Sequence, residues 1–498
     1  MQQTALSRRP TRFEWVILSV ITVAGLYQLV VPPSIGMADN GDFPRIISRF
    51  HLDHVSAAYE DRFFYFFNAK YRFDPKQQWK SGFLSSTTLL VMLAIPINRL
   101  VSEDGLFDIR IIGLLYLAIA LMAAWLLLIW SRVLSPPGRS LCRAMLVLAL
   151  TDVGYVAYFN SFYSEPTGLV FLLVALAPAL LVIQRNEAAH PAWLLPYFGA
   201  AFLFAAAKPQ YALPGVLLAV FSLRLLFLQT NRLWRGTCGA GAIGLLVCAG
   251  ASYRLAPESI SGTTYYVSVF SEMLKHSPDP RADLVDLGLS PDLAKYAGTH
   301  PYQPGAPTAD PEFQRTFFDH MSFGRLASFY FRHPGRLVAS LDRSAAFALL
   351  LRPKTLGNFE KSAGLIGGAQ SRAFSHWSTL HRLIAPQRLW SLTLFFGLNL
   401  AVAAWLYWKS EGGRQLALEL YGVLVLMAIS QYGMVSVLQG TIDPMKHMFL
   451  FCALFDICLT VSLVWLAGLG AAAAPAVAGI VRGRSGRSGR KRGGSRLY

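Results

Sequence analysis

Apolar positions along this chain gather into long, nearly unbroken runs rather than into alternating strands or one-faced helical stripes. About ten of these runs reach roughly 16 to 24 residues, close to what a helix needs to cross the hydrocarbon core of a bilayer. They lie near 13–31, 109–131, 143–159, 166–184, 192–207, 211–229, 237–254, 388–408, 416–438 and 447–468. Alternating barrel-type segments are absent, so a helical bundle is the architecture that satisfies every backbone amide within lipid. The pattern predicts an all-α, polytopic membrane protein of about 10–11 transmembrane helices.

One further run, "GFLSSTTLLVMLAIPINRLV" at 82–101, tests that count. Short basic flanks, "SRRPTR", "SRVLSPPGRSLCR", "QRN", "NRLWRG" and "KSEGGR", fall on one side when ten segments span, and basic loops face the cytoplasm. A crossing at 82–101 would throw the loop at 132–143 outside. The run is also shorter and interrupted by Pro96, so a helix lying along the outer surface or dipping part-way in fits better.

Composition agrees with the membrane class: 54% of the residues are hydrophobic and 15% charged. The net charge of +17 does not imply nucleic acid, because seven basic and no acidic residues crowd into the last stretch, "VRGRSGRSGRKRGGSRLY". Such a segment reads as a disordered basic cytoplasmic tail that holds topology and touches anionic membrane lipids. The five cysteines lack metal-ligand spacing and imply no disulfide framework. No small-residue cleavage site follows the first run, which is expected to be a retained span.

The expected organisation is a transmembrane core over 1–254 with a first outer loop at 32–108, an extracytoplasmic helical cap over 255–387, C-terminal spans over 388–470 and the basic tail at 471–498. Within the cap, "SFGRLASFYFRHPGRLVASLDRSAAFALLL" reads as two amphipathic helices broken at Pro334. The block "YEDRFFYFFNAKYRF" suits the headgroup level of a membrane.

Polar chemistry collects on the outer side, where nine of the ten histidines fall. Four constellations stand out there. Asp39, Asn40, Asp42 and Arg45 follow the first span in "GMADNGDFPR"; the same residues make good turn and helix-cap chemistry, and one of the aspartates need do no more than that. A carboxylate held where water is partly excluded, however, is suited to general-base catalysis. Glu165, beside Tyr163 in "FNSFYSEP", precedes Pro166 at a helix start, where an acid is favourable in any case. Lys208 in "AAAKPQY" sits between two apolar runs, where a lysine snorkels or binds something. Asp443, Lys446 and His447 in "GTIDPMKHMFL" open the last span, and cations at a helix start on the outer side suit a phosphate. Asp152 and Asp456 fall in mid-span without evident partners.

No Gly-rich phosphate loop follows a strand, so a phosphate donor at the outer leaflet is expected to be lipid-linked. A span followed by "ADNGD" and then surface helices resembles the GT-C class of membrane glycosyltransferases. "NGDFPR", "FYSEP", "SPDPRADLVDLGLSPDLAKYAG" and "DPMKH" resemble, more narrowly, bacterial glycan-biosynthesis hexose transferases of the WsfD type, up to about residue 470. The resemblance implies inverting transfer of a sugar from a polyprenyl-phosphate donor to a glycan, lipid or protein acceptor, on the outer side of a bacterial cytoplasmic membrane. It places the catalytic acid at Asp39, with Asp42 as substitute and Glu165 as a second acid, and the donor phosphate at Lys208, Lys446 and His447. Asp39, Asp42 and Glu165 also offer oxygen ligands to a divalent cation; a monophosphate donor needs that help less, and no metal or cofactor is assigned. Alternatives are a flippase or transporter for lipid-linked glycans, an O-antigen ligase or polymerase, and a structural protein with a binding cap.

Overall fold

The computed structural model describes residues 9–76, 85–440 and 442–487. Among these, seven helices are long and apolar enough to span: Arg12–Leu29, Arg110–Ser131, Glu165–Arg185, Arg232–Arg254, Leu389–Trp408, Gly413–Leu438 and Phe449–Gly468. A pair bent by 53°, Pro136–Thr151 with Val153–Phe159, makes an eighth if counted as one span. The protein is thus an all-α polytopic membrane protein. Glu165–Arg185 is its central helix, with 89% of its apolar window inside the bundle, against 22% for Leu389–Trp408 at the periphery.

Two of the ten expected spans are shorter than the sequence implied. Helices Leu194–Ala205 and Ala212–Leu225 have 12 and 14 residues. At about 1.5 Å per residue they rise roughly 18 and 21 Å, less than the ~30 Å hydrocarbon core. Apolar composition continues past both ends, but the helices do not. Pro209 starts a 3-10 turn between them, and Leu226, Phe227 and Leu228 close with i→i+3 bonds.

The two ends of the bundle are chemically distinct. Thr11 and Glu14 form a capping box at the first helix. Buried Glu14 accepts from Arg132 Nε at 3.0 Å and Arg143 Nη2 at 2.6 Å, so the two most N-terminal basic flanks meet at one end. At the other end, helix Thr87–Val101 is fastened at both of its own ends. Ser85 Oγ donates to Ala207 O at 2.7 Å, Asn98 Nδ2 donates to Leu106 O at 2.7 Å, and Asp108 N donates to Asn98 Oδ1 at 2.8 Å. Ala207 follows helix Leu194–Ala205 and Asp108 precedes Arg110–Ser131; at 15 residues the helix is shorter than the seven that are long enough to span. The start of the 82–101 run, through residue 84, lies outside the described residues.

Short strands, which the sequence did not announce, bind the outer loops. β1 (Ile35–Met37) pairs antiparallel with β5 (Leu356–Phe359), while β2 (Leu52–His54), β3 (Lys70–Phe73) and β4 (Leu106–Asp108) form an antiparallel sheet in that order. Runs of three or four residues are too short for a period-2 signal to emerge. Gly36 in β1 is obligatory, because a Cβ there would lie 2.4 Å from the Phe67 ring and 2.7 Å from Asn160 O. The cap has its own aromatic core, with Tyr266, Phe270, Phe313, Phe317 and Phe329 buried together. Its two amphipathic helices are Phe323–Arg332 and Pro334–Ala345, parted at the expected proline. The last helix runs to Arg487, and residues 488–498 of the basic tail lie outside the described residues.

Mid-span Asp152 and Asp456 prove to be anchors for the cap. Asp152 accepts from Gly154 N at 2.7 Å and from Trp377 N and Ser378 N at 2.8 and 3.0 Å. Asp456 meets Tyr155 Oη (2.7 Å), Trp377 Nε1 (2.7 Å) and His381 Nε2 (2.6 Å). Asp456→Asn should therefore lower the apparent Tm by the equivalent of about 1–3 kcal/mol and speed proteolysis of 345–387. Unchanged melting and cleavage would dismiss the anchor.

Candidate active site

Asp39 lies two residues beyond β1, and Ala38 N donates to Thr355 O at 2.8 Å. Asp39 Oδ1 accepts from Gly41 N at 2.7 Å and Phe43 N at 3.1 Å, closing the "DNGD" turn over Gly41, whose φ is +99°. The turn role expected for one aspartate therefore belongs to Asp39 rather than Asp42, and it uses a single oxygen. Oδ2 has no hydrogen-bond partner among the described residues, and the side chain is buried.

Asp42 faces the start of the last span. Its Oδ2 takes a 2.6 Å contact from Lys446 Nζ and its Oδ1 a 2.8 Å contact from Arg45. Lys446 also lies 3.3 Å from Asp443 Oδ2 and 4.8 Å from the Tyr163 ring centroid. Asp443 holds a left-handed φ of +46° and accepts from Asn40 Nδ2 at 2.9 Å. Tyr163 Oη donates to Asn40 Oδ1 at 2.6 Å and accepts from Asn40 N at 2.9 Å. The first and last constellations, some 400 residues apart, thus form one network.

The remaining two join it through His447. Lys208 Nζ donates to Glu165 Oε1 at 2.8 Å and lies 3.3 Å from His447 Nδ1. Gln210 Nε2 donates to His447 O at 3.0 Å and Gln431 Oε1 at 2.9 Å, holding the Lys208 turn against helix Gly413–Leu438. Pro166 occupies the first turn of the central helix as expected, but Glu165 does more than start it, because buried at that N-terminus it pairs with Lys208. Eight of the nine expected site residues lie in this cluster, and Asp39 adjoins it through the chain, its side chain hydrogen-bonded only to the Gly41 and Phe43 amides among the described residues.

Electrostatics separate the two aspartates. Burial raises Asp39 to about 7, helped by Asp42 and only partly opposed by the Phe43 and Gly41 amides and by Lys446. Burial also pushes Asp42 upward, but Lys446 and Arg45 outweigh it and bring Asp42 to about 2. The two neighbouring carboxyls are thus driven apart, Asp39 toward the neutral acid and Asp42 toward the carboxylate. Burial alone would lower Lys446, yet Asp42, Asp443 and Glu165 hold it above the ordinary lysine range. His447 is pushed well below its ordinary value by burial and by Lys208 and Lys446, so it is a neutral hydrogen-bonding group rather than the cation the sequence suggested.

Two features differ from the sequence reading. Lys446 is not an open cation but is buried and paired with two carboxylates. The side chains of Asp42, Arg45 and Asp443 are 25%, 31% and 35% exposed, and they form the accessible face. The aromatic block expected at the headgroup level is only partly exposed: Phe64 and Tyr65 are exposed, Phe67 packs in the core against Gly36, and Phe64 N donates to Asp39 O at 2.8 Å. An open apolar groove of about 1210 Å³ runs between Pro334–Ala345 and Leu389–Trp408, but its lining includes no residue of the charged network. Among the described residues no group of three or more His, Cys, Asp or Glu side chains is arranged to hold a metal ion. Sequence reasoning missed His54, Gln210 and Gln431, which carry no local motif.

Fold and site together define a polytopic helical membrane protein with a buried acid–base cluster at one end of its bundle. The chain belongs to the family described as the YfdI N-terminal transmembrane domain, whose model matches residues 3–474. No curated protein matches it. Among solved structures it is distantly similar to the archaeal oligosaccharyltransferase AglB from Archaeoglobus fulgidus, solved with an inhibitory peptide and a dolichol-phosphate. That similarity covers 98% of this chain at 12% identity and a TM-score of 0.41, and this chain spans about half, 53%, of that one.

Proposed function

We propose that this protein is an inverting GT-C glycosyltransferase that moves a sugar from a polyprenyl-phosphate donor to a glycan, lipid or protein acceptor. The reaction would take place on the extracytoplasmic face of a bacterial cytoplasmic membrane. The observation that carries the reading is a buried carboxyl with one oxygen unbonded among the described residues, Asp39, adjoining through the chain a network of three cations around Asp42, Asp443 and Glu165. The narrower WsfD-type assignment is supported by the short motifs alone.

In this reading Asp39 takes the proton of the acceptor hydroxyl through Oδ2 as that oxygen attacks the anomeric carbon. The bond from carbon to phosphate oxygen breaks with its electron pair, and Arg45, Lys208 and Lys446 meet the charge that develops on the phosphate. Asp42 and Asp443 keep Lys446 charged and aimed until the donor arrives. Glu165 holds Lys208, and His447 stabilises the ammonium as a neutral acceptor. The flippase alternative loses its polar mid-span residues, since Asp152 and Asp456 are occupied by cap groups.

Incubation of the purified protein with radiolabelled polyprenyl-phosphate sugars and a membrane extract should yield a labelled product. Movement of labelled donor between leaflets with no product formed would replace the transferase reading with a flippase. Lys208→Ala should raise the donor KM about 10- to 100-fold, as loss of one charge-assisted bond implies. An unchanged KM would remove Lys208 from the donor site.

A further inference from the structure

His54 lies outside every sequence motif and beside the one carboxyl on which the proposed reaction depends. It ends β2, where it pairs with Tyr71 of β3, and its ring is buried with Phe63 at 5.4 Å and Tyr71 at 5.3 Å between centroids. Nε2 is 3.5 Å from Asp39 Oδ2, and Nδ1 is 3.8 Å from Asp53 Oδ1. Neither ring nitrogen has a hydrogen-bond partner among the described residues, nor does Asp39 Oδ2. Buried polar atoms are almost always bonded, so two unsatisfied ones facing each other, Nε2 and Oδ2, with a third at Nδ1 facing Asp53, call for an explanation. Catalytic hydrogen bonds are often long without substrate and close when it binds, and here a closure of under about 1 Å suffices.

Asp53 supplies the continuation. Its side chain is 17% exposed, and it is held by Arg72 at 2.9 Å and Arg62 at 3.7 Å. Asp39, His54 and Asp53 therefore form a line from the buried carboxyl to the rim of the first outer loop. We infer that His54 is the relay residue of this site, accepting at Nε2 the proton that Asp39 removes from the acceptor hydroxyl and releasing one from Nδ1 toward Asp53. The inference rests on the glycosyltransferase reading above.

The step balances. The acceptor O–H breaks, its oxygen bonds to the anomeric carbon, and the phosphate leaves with the electron pair. The proton passes from Asp39 Oδ2 to Nε2, and the Nδ1 proton exits past Asp53. The relay starts from neutral imidazole protonated on Nδ1. Burial first, then Arg62, lowers His54 to about 4 against the pull of Asp53, which keeps the ring neutral; because a free imidazolium lies uphill of Asp39, the Nδ1 proton leaves toward Asp53 as Nε2 takes the one from Asp39. Asp39 and Asp53, with Arg62 and Arg72 behind Asp53, are the charged groups that face it, and Tyr71 is the phenol packed on its ring. His54 acts through Asp39, so it is a positioning and relay residue rather than one that touches the reacting atoms.

His54→Gln keeps a polar group near Asp39 but cannot carry a proton through. With labelled polyprenyl-phosphate sugars, its kcat should fall about 10- to 100-fold with the acceptor KM within twofold. The acid limb of its pH–rate profile should shift, whereas a merely structural role would leave that limb in place. Full kcat with an unmoved limb, while Asp39→Asn is inactive, would overturn the relay and leave the transferase reading standing. Full activity in both variants would overturn that reading and the relay with it. A measurement independent of turnover uses wild-type and Asp39→Asn protein carrying nitrogen-15 histidine in micelles. One ring-nitrogen resonance should change its titration between the two, and identical titration of all the histidine signals would refute the contact.

Discussion

Asp39→Asn should reduce transfer by about 10²–10⁴-fold, the usual contribution of a positioned base, and should make the protein more stable at pH 8. The second effect follows from linkage. The folded protein raises this carboxyl from 3.8 to about 7, so it favours the neutral acid. The associated stability is complete below pH ~4 and is lost as pH rises through about 7, where charge is forced into a buried site. At about 1.4 kcal/mol per pKa unit the loss approaches roughly 4 kcal/mol at pH 8. The asparagine variant carries no such charge. Thermal unfolding in detergent should show variant and wild type close together at pH 4 and the variant well above at pH 8. Equal melting at pH 8 would mean that Asp39 does not carry charge there, and the base would have to be sought elsewhere.

Lys446→Met should be among the most damaging substitutions in the outer half of the molecule. It leaves Asp42 and Asp443 near each other with the cation that pairs with both removed. Breaking one partner of a buried pair costs about 3–5 kcal/mol, most of it from the charge left behind. The double variant Asp42→Asn with Lys446→Met should recover part of that loss, and the cycle of four proteins isolates the coupling. Acid lability supplies a second reading of the same pair. Asp42 sits at about 2 in the folded state against 3.8 ordinarily, so its contribution is present above pH ~4 and fades as pH falls toward 2. Without Lys446 that window should move to higher pH. A double variant as unstable as the sum of the singles would show that the pair is not coupled.

The sequence alone was enough for the membrane class, the helical architecture and the grouping of polar residues at one end. Those inferences rest on one-dimensional quantities, because a bilayer imposes length, apolarity and charge asymmetry on each segment separately. The four constellations were legible for the same reason, since each is a polar break between apolar runs.

Only the tertiary structure decided which groups meet and in what state. Lys446 reaches Asp42, some 400 residues distant, and Asp456 is satisfied by a cap histidine 75 residues before it, pairings with no signature along the chain. The choice between Asp39 and Asp42 turned on burial and on neighbours from other segments, because a pKa answers to the surrounding dielectric and charges in three dimensions. His54 was invisible for a related reason: it occupies an ordinary short strand, and its meaning comes from the 3.5 Å that separates it from Asp39. Helix ends at Ala205 and Leu225 likewise depend on turns that apolar composition does not record. Segment by segment, hydrophobicity told the chain where to cross; the contacts among its crossings set the chemistry at their ends.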